Sequence, residues 1–158
     1  MSKVLDPCCG SKMMWFDKHD PRALFGDIRT EQLTACDGRT ITIAPDTTLD
    51  FRNLPCPDNT FRLVVFDPPH LHHLGKSSWL AQKFGALAPS WRDDIAQGFS
   101  ECFRVLLPAG VLIFKWSEVQ IPLSEILALT PEKPLFGHTT TQNLRTHWIT
   151  FMKEEDTA

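Results

Sequence analysis

The most informative segment for the fold is Arg62-Leu63-Val64-Val65-Phe66-Asp67-Pro68-Pro69-His70. After Arg62 it is a continuous apolar run with two valines, which is typical of a central parallel strand that is buried on both faces. The run stops at Asp67 and two prolines, which have no backbone N–H to continue a ladder. A strand of this kind predicts an α/β protein with a mostly parallel sheet.

Other apolar segments on either side predict the remaining strands. Residues 3–5 end in Asp6 and a turn-like Pro7-Cys8-Cys9-Gly10, and residues 23–26 end in Asp27. Residues 40–43 alternate with period two after Asp37-Gly38, which predicts an extra strand or half of a hairpin. Residues 48–51 are a weaker candidate, and residues 111–114 are another buried strand, after a helix stop at residues 108–110.

Helical segments are predicted between these strands. A capping-box pattern at Ser90 and Asp93, followed by apolar residues at helical spacing, predicts an amphipathic helix over residues 91–106. One shorter helix is predicted to open at residues 13–16 and to end before Asp20-Pro21, and another to run from Pro122 to about Leu129. Residues 133–136 and 148–152 are expected to form a terminal strand pair. We therefore predict a doubly wound, Rossmann-like α/β domain over residues 1–158, with an antiparallel C-terminal strand and no separate target-recognition domain.

Composition places the chain among globular proteins. The hydrophobic share of 42% in 158 residues excludes a disordered chain. No run approaches the roughly 18 apolar residues of a membrane helix, and we see no signal peptide, so we expect a cytoplasmic protein without a membrane partner. The five cysteines include no Cys-x-x-Cys pair, which argues against a disulfide framework or structural zinc.

Acidic residues stand where three predicted strands end, at Asp6, Asp27 and Asp67, and Asp50 lies in the weak fourth strand. In open parallel sheets the ligand binds outside the carboxyl ends of the strands. An acid after the second strand can accept hydrogen bonds from both ribose hydroxyls, and Gly10 lets the backbone approach a ligand closely. Taken singly, each of these residues has a structural alternative as a turn residue, a cap or a surface ion pair.

In order and spacing, these segments resemble the motifs of class I S-adenosylmethionine-dependent methyltransferases. Residues 4–11 resemble the first motif, Asp27 the acid of the second, and residues 50–61 the third-motif region. Asp67-Pro68-Pro69-His70 resembles the fourth motif in its amino-methylating form, and residues 107–111 resemble the loop and strand that follow. The chain is most similar to short methyltransferases of bacteria and phages that act on DNA or RNA.

The resemblance implies S-adenosylmethionine as cofactor. Asp27 would hold the ribose, Asp50 and Phe51 would address the adenine, and the Gly10 loop would accommodate the methionine part. The full cofactor-binding set that we predict is Asp6, Pro7, Cys8, Gly10, Lys12, Asp27, Ile28, Asp50, Phe51 and Asp67.

Lys12 is a departure, because the family commonly has Gly-x-Gly where this chain has Gly10-Ser11-Lys12. A Lys12 that points into the pocket can pair with the cofactor carboxylate. A Lys12 that cannot be accommodated would prevent normal cofactor binding.

The predicted catalytic residues are Asp67, Pro68, Pro69 and His70. An exocyclic amine on a base is a poor nucleophile because its lone pair is delocalised into the ring. Asp67 and the carbonyl of Pro68 can accept its two hydrogens, the prolines fix that carbonyl, and His70 can stack on the base. The target would be adenine N6 or cytosine N4 in a flipped or unpaired base. The alternative is a strand stop with a capping Asp.

Charge distribution suggests a polyanionic substrate despite the net charge of −3. Residues 68–92 and 133–153 contain no Asp or Glu, so one face can be basic. The candidates for substrate binding are Lys76, Trp79, Lys83, Arg92, Lys115, Trp116 and Arg145. Lys115 and Trp116, which follow the strand at residues 111–114, can equally belong to the core.

No metal site is predicted from the histidines at residues 70–73. His72 and His73 are adjacent and should point apart, and no carboxylate partner is specified. A methyltransferase of small molecules or protein amides, or a non-catalytic cofactor-binding subunit, remains an alternative. A homo-oligomer or a partner subunit is also compatible with the chain.

Overall fold

A computed structural model describes residues 1–35, 37–75, 78–138 and 145–155. Its strands are β1 (Val4–Asp6), β2 (Ala23–Asp27), β3 (Glu31–Thr34), β4 (Thr40–Ile43), β5 (Thr47–Thr48), β6 (Phe61–Phe66), β7 (Leu106–Ser117), β8 (Phe136–Gly137) and β9 (Thr146–Met152). Its helices are α1 (Trp79–Phe84), α2 (Trp91–Val105) and α3 (Leu123–Leu127).

The described part of the chain forms a seven-stranded sheet in the order β5-β2-β1-β6-β7-β9-β8, with β3 and β4 as a separate hairpin. Strands β5, β2, β1, β6 and β7 are mutually parallel, whereas β9 is antiparallel to both β7 and β8. The strand order reverses between β1 and β6, which makes this pair the switch point where open α/β sheets bind ligands. The predicted doubly wound sheet with an antiparallel C-terminal strand is confirmed.

One face of the sheet is packed against α2 and α3. Leu5, Val64, Leu112 and Phe151 lie side by side across four strands and are all fully buried on this face. Phe99 of α2 packs among the aromatic side chains of this layer. Every central strand contributes alternate residues to this layer. A shift of one residue in any strand would move its buried side chains to the other face, so the burial of this layer sets the register of the sheet.

The other face is covered beside β1 and β2 by residues 7–22. The predicted helix at residues 13–16 is wrong, since this segment consists of turns. Its anchor is Trp15, whose ring packs edge-on against Phe25 and whose indole N–H donates to Asp6. These contacts keep residues 7–22 in place although the segment has no helical hydrogen-bond pattern.

Several element boundaries differ from the prediction. Strand β7 begins at Leu106, directly after α2, so the stop predicted at residues 108–110 lies inside the strand, where Ala109 adopts a left-handed φ of 60°. Ser90 does not cap α2, since its hydroxyl donates to the Asp94 carboxylate instead. Helix α3 ends at Leu127, and β5 shares only Thr48 with the weak strand predicted at residues 48–51. Of the two alternatives for residues 40–43, half of a hairpin is correct, and the terminal strand pair is present with its first strand at Phe136–Gly137.

In the described ranges no helix combines the length and apolar character that crossing a membrane requires. The four cysteines that the structure describes are free thiols.

Candidate active site

A cavity of about 400 Å³ opens at the carboxyl ends of β1, β2, β5, β6 and β7. This volume is within the range of small-molecule sites. The predicted residues that line it are Pro7, Cys8, Gly10, Asp27, Ile28, Asp50, Phe51, Asp67, Pro68, Pro69, His70, Lys83 and Lys115. The sheet thus brings the predicted cofactor set and the predicted catalytic set together in one cavity.

Gly10 and Asp27 form the junction between the first loop and the end of β2. Gly10 has a φ of 52°, a backbone conformation that favours glycine, and its N–H donates to Asp27 Oδ2 at 2.8 Å. Asp27 Oδ1 accepts the N–H of Arg29 at 2.9 Å, and the Arg29 guanidinium is 3.5 Å away. Each carboxylate oxygen keeps acceptor capacity toward the cavity, so the junction suits a ligand with vicinal hydroxyls.

Lys12 takes a left-handed backbone conformation with φ of 57°. Its ammonium lies 4.1 Å from the centre of the Phe25 ring and donates to the Lys18 carbonyl at 3.1 Å. The side chain is therefore accommodated in the fold, and it points away from the cavity that holds Gly10 and Asp27. Lys12 is the one predicted cofactor residue besides Asp6 that does not line this cavity.

Asp6 is fully buried and does not line the cavity. Burial raises the pKa of its carboxyl to about 7, although the hydrogen bond from Trp15 at 2.8 Å acts in the opposite direction. The carboxylates of Asp67 and Asp27 also raise its pKa. Asp6 thus holds the first loop through Trp15 from the protein interior and not from the cavity.

Asp50 and Phe51 line the cavity from the segment after β5. The guanidinium of Arg52 binds both Asp50 oxygens, at 2.6 and 3.0 Å, and also reaches Asp94 at the start of α2. Phe51 packs edge-on against Phe66 at 5.2 Å between ring centroids. With the exposed Ile28, Phe51 offers apolar surface to a planar ring.

Asp67 follows the last residue of β6 and faces Lys115 of β7. Lys115 Nζ donates to Asp67 Oδ2 at 3.2 Å. Burial raises the pKa of the Asp67 carboxyl, and the Lys115 ammonium opposes that rise. The ion pair therefore favours a charged Asp67 in a largely enclosed position.

His70 completes the predicted catalytic segment. Burial lowers the pKa of its imidazole, and the nearby Lys115 charge lowers it further. Its ring lies edge-on to Trp116 at 6.2 Å between centroids. A neutral imidazole at this position can stack on an aromatic ligand.

The loop after His70 is tied to the connection that follows β7. Gln120 Oε1 accepts the backbone N–H groups of His72 and His73, and Gln120 Nε2 donates to the His73 carbonyl. The expectation that the two histidines point apart is wrong, because their rings lie 3.8 Å apart. Among the described residues no group of three or more His, Cys, Asp or Glu side chains is arranged to bind a metal.

The predicted substrate-binding residues do not all lie in the cavity, but occur in several different parts of the structure. Trp116 is fully buried and donates to the Ile121 carbonyl, so the core alternative is the correct one. Arg92 pairs with Glu125 and stacks on Trp91, outside the cavity. Trp79 lines a second cavity, Arg145 is exposed immediately before β9, and Lys76 lies outside the described residues.

Sequence reasoning missed several residues of the site. Arg29, Arg52 and Asp94 line the cavity, as do Met13 and Met14 of the first loop. The Asp27-Arg29 and Asp50-Arg52 spacings are local signals, because an Asp side chain readily accepts the backbone N–H two residues on, as each does here at 2.9 Å. Asp94 reaches the site only through the docking of α2.

No known protein-family model matches the chain, and no curated protein matches it either. Solved structures do match over nearly its whole length. A SAM-dependent methyltransferase from Methanosarcina mazei is 12% identical with a TM-score of 0.58, over 97% of this chain and 92% of its own. A TehB-like SAM-dependent methyltransferase from Corynebacterium glutamicum is 16% identical with a TM-score of 0.60, over 97% and 80%.

A third similar structure is the 1,6-didemethyltoxoflavin-N1-methyltransferase of Burkholderia thailandensis, with bound 1,6-didemethyltoxoflavin and S-adenosylhomocysteine. It is 14% identical with a TM-score of 0.53, over 96% of this chain and 71% of its own. At these identities the likeness establishes the fold. The protein has the fold of the class I S-adenosylmethionine-dependent methyltransferases.

Proposed function

We propose that this protein is an S-adenosylmethionine-dependent methyltransferase that methylates an exocyclic amino nitrogen, adenine N6 or cytosine N4, of a base in DNA or RNA. One observation supports the proposal above all others. The Asp67-Pro68-Pro69-His70 segment lines the same cavity as Gly10, Asp27 and Phe51. Residues suited to a nucleoside cofactor and residues suited to an amine thus meet in one place.

The residues present fit the proposed cofactor. Asp27 offers a buried carboxylate for ribose hydroxyls, and Phe51 and Ile28 offer apolar surface for adenine. The loop around Gly10 leaves space beside its backbone, since a Cβ added there would meet nothing within 4 Å. When bound, S-adenosylmethionine supplies an electrophilic methyl group on its sulfonium.

Asp67 is proposed to orient the attacking amine. Lys115 binds Asp67 Oδ2, so Oδ1 is left to accept a hydrogen from the amine, and the Pro68 carbonyl accepts the second. This arrangement favours a geometry in which the nitrogen lone pair can attack. Positioning of this kind supplies on the order of 7 to 11 kcal/mol in favourable cases.

His70 is proposed to stack on the target base. Since burial and Lys115 lower its pKa, the ring is favoured in the neutral form near neutral pH. A flipped or unpaired base would place its Watson–Crick edge toward Asp67 and one face on this ring.

The test is transfer of labelled methyl groups onto total DNA and total RNA, followed by nucleoside analysis. Wild-type protein should label N6-methyladenine or N4-methylcytosine, and Asp67→Ala should abolish labelling while binding of S-adenosylhomocysteine persists. Labelling at a ring carbon or a ring nitrogen would refute the amino-methylation mechanism, as would full activity of the variant.

A small heteroaromatic molecule is the second candidate for the methyl acceptor. The Burkholderia structure contains bound 1,6-didemethyltoxoflavin and S-adenosylhomocysteine, and this fold therefore accepts such a ligand in that protein. The methylation rate of such a small acceptor should not change with salt concentration, whereas the methylation rate of a polyanionic acceptor should fall as salt increases.

A further inference from the structure

A second cavity, of about 460 Å³, lies next to the proposed active site. Three chain segments enclose it: residues 11–13 and 18–19 of the first loop, residues 39–44 of the β3–β4 hairpin, and α1 with Trp79 and Lys83. Ser11, Met13 and Lys83 line both cavities. A single ligand can therefore extend from one cavity into the other.

Basic side chains dominate the second cavity. Five of its lining residues are basic, namely Lys12, Lys18, His19, Arg39 and Lys83, and no acid is among the lining residues that the structure describes. We define this set as the basic cleft. Such a single-sign concave surface raises the local concentration of anions.

Local partners neutralise only part of this charge. Arg39 forms an exposed ion pair with Asp37. Lys12 donates to a backbone carbonyl, and neither Lys12 nor Lys18 forms an ion pair with an acid of the described chain. A net positive charge therefore remains in the cleft of a protein whose overall charge is −3.

The other lining groups suit a phosphorylated ligand. Thr40 and Thr42 present hydroxyl groups from the exposed side of β4, and Trp79 adds an aromatic surface. Hydroxyls and cations bind phosphate oxygens, and aromatic rings stack on bases.

We propose that the basic cleft binds phosphate groups of the methyl acceptor while its amine lies at Asp67. The inference rests on the proposed function for the position of the amine, but phosphate binding can be measured without turnover. The phosphate can belong to a nucleic-acid backbone or to a phosphorylated small molecule, since both present the same group to Lys18 and Arg39.

The experiment compares two double variants of the full chain with equal change in charge. Lys18→Gln with Arg39→Gln removes two cations of the cleft. Lys3→Gln with Arg62→Gln removes two exposed cations at the amino-terminal ends of β1 and β6, the opposite edge of the sheet. Fluorescence anisotropy with a labelled single-stranded oligonucleotide, over a series of salt concentrations, gives affinity and salt slope, and calorimetry with S-adenosylhomocysteine checks the cofactor site.

The cleft variant should lose about tenfold or more in oligonucleotide affinity, with the slope of log K against log salt reduced by about 1.4 for two lost contacts. The edge variant and cofactor binding should be unchanged. Equal losses in both double variants would mean a non-specific charge effect and would overturn the inference, as would no loss in either.

Two further arms identify the phosphate source and separate the two proposals. A nucleoside monophosphate that competes as well as an oligonucleotide of equal phosphate content indicates a phosphorylated small acceptor, whereas competition by the oligonucleotide alone indicates a nucleic-acid backbone. Cleft-dependent phosphate binding in a protein that transfers no methyl group supports the cleft and refutes the proposed function. Methyl transfer that is insensitive to the cleft variant, together with intact phosphate binding, refutes the cleft alone.

Discussion

Lys12 shows how one residue can depart from a motif without closing the site. Its backbone adopts the left-handed conformation, with φ of 57°, which glycine takes readily and which is strained for lysine. Burial of the aliphatic chain and the contact of its ammonium with Phe25 offset that strain. The loop at Gly10 therefore keeps its position against Asp27.

Asp27 is expected to determine cofactor affinity. Asp27→Ala removes the acceptor for the Gly10 N–H and the proposed acceptor for the ribose hydroxyls. Hydrogen bonds to a charged group contribute roughly 1.5–3 kcal/mol, so affinity for S-adenosylhomocysteine should fall about tenfold or more. Calorimetry measures the loss, and Asp27→Asn, which keeps one carbonyl acceptor, should lose less. An Asp27→Ala protein with wild-type affinity would exclude Asp27 from the cofactor site.

Lys115 is expected to set the pH range of the reaction through Asp67. Lys115→Met removes the charge that opposes the burial-induced rise, so the pKa of Asp67 goes up. If charged Asp67 orients the amine, the acidic limb of the pH profile of kcat/KM should then move to higher pH. Lys115→Arg, which keeps a cation, should leave the limb near its original position. An unchanged limb in Lys115→Met would show that Asp67 ionisation does not limit the reaction.

At the scale of elements, α2 is held close to the sheet by a glycine. A Cβ added at Gly98 would lie 2.6 Å from Phe66 and 2.7 Å from Phe51, so only a hydrogen fits between the helix and these rings. Phe51 lines the cavity, and Asp94 at the start of α2 binds Arg52. The seating of α2 therefore influences both the core and the proposed adenine surface.

Gly98→Ala should destabilise the protein. Overpacking of a dense core costs typically 1–3 kcal/mol, which outweighs a helix-propensity gain of at most about 1 kcal/mol. The net loss, up to about 2 kcal/mol once the propensity gain is subtracted, can be measured by urea denaturation, and S-adenosylhomocysteine affinity should decrease as Phe51 moves. Ser100→Ala, an exposed position of the same helix, is the matched control and should be nearly neutral. A Gly98→Ala protein as stable as this control would mean that the two rings shift without cost.

At the scale of the whole molecule, the acids of three strand ends are concentrated at one sheet edge. Asp6, at the buried end of β1, has a pKa raised to about 7 by burial and by the nearby Asp67 and Asp27 charges. The ordinary pKa of its carboxyl is 3.8. The folded protein thus retains a proton on Asp6 that the unfolded chain has already released. As a result, the free energy of unfolding should fall as pH rises from about 4 to about 7.

Asp6→Asn should remove this part of the pH dependence. The amide oxygen can still accept the Trp15 N–H, but it never has to ionise in the core. Relative to wild type, the variant should gain about 3 kcal/mol of stability between about pH 5 and pH 8, since about two pK units of the Asp6 shift lie in that interval. Urea denaturation at both pH values measures the difference. Parallel pH dependences of the two proteins would show that Asp6 does not titrate in the folded state over this interval.

Local sequence patterns were enough to predict the sheet and the acids at its carboxyl edge. Strand β6 was predictable because a continuous apolar run followed by Asp67-Pro68-Pro69 is a local signal of a buried strand and its end. The acids Asp27 and Asp67 follow strands directly, so the rule that carboxyl ends of parallel strands meet at one edge placed them together. By contrast, the turns at residues 13–16 were mistaken for a helix, because Trp15 is held by tertiary contacts with Asp6 and Phe25.

Which groups of that edge contact one another depends on how distant parts of the chain pack together. The Asp67–Lys115 pair joins residues 48 positions apart, and its formation depends on the register of β6 against β7. The burial of Trp116 and the direction of Lys12 likewise depend on what packs beside them. The basic cleft brings together three segments that no periodicity links, because local patterns specify which face of an element is buried but not which other element covers it.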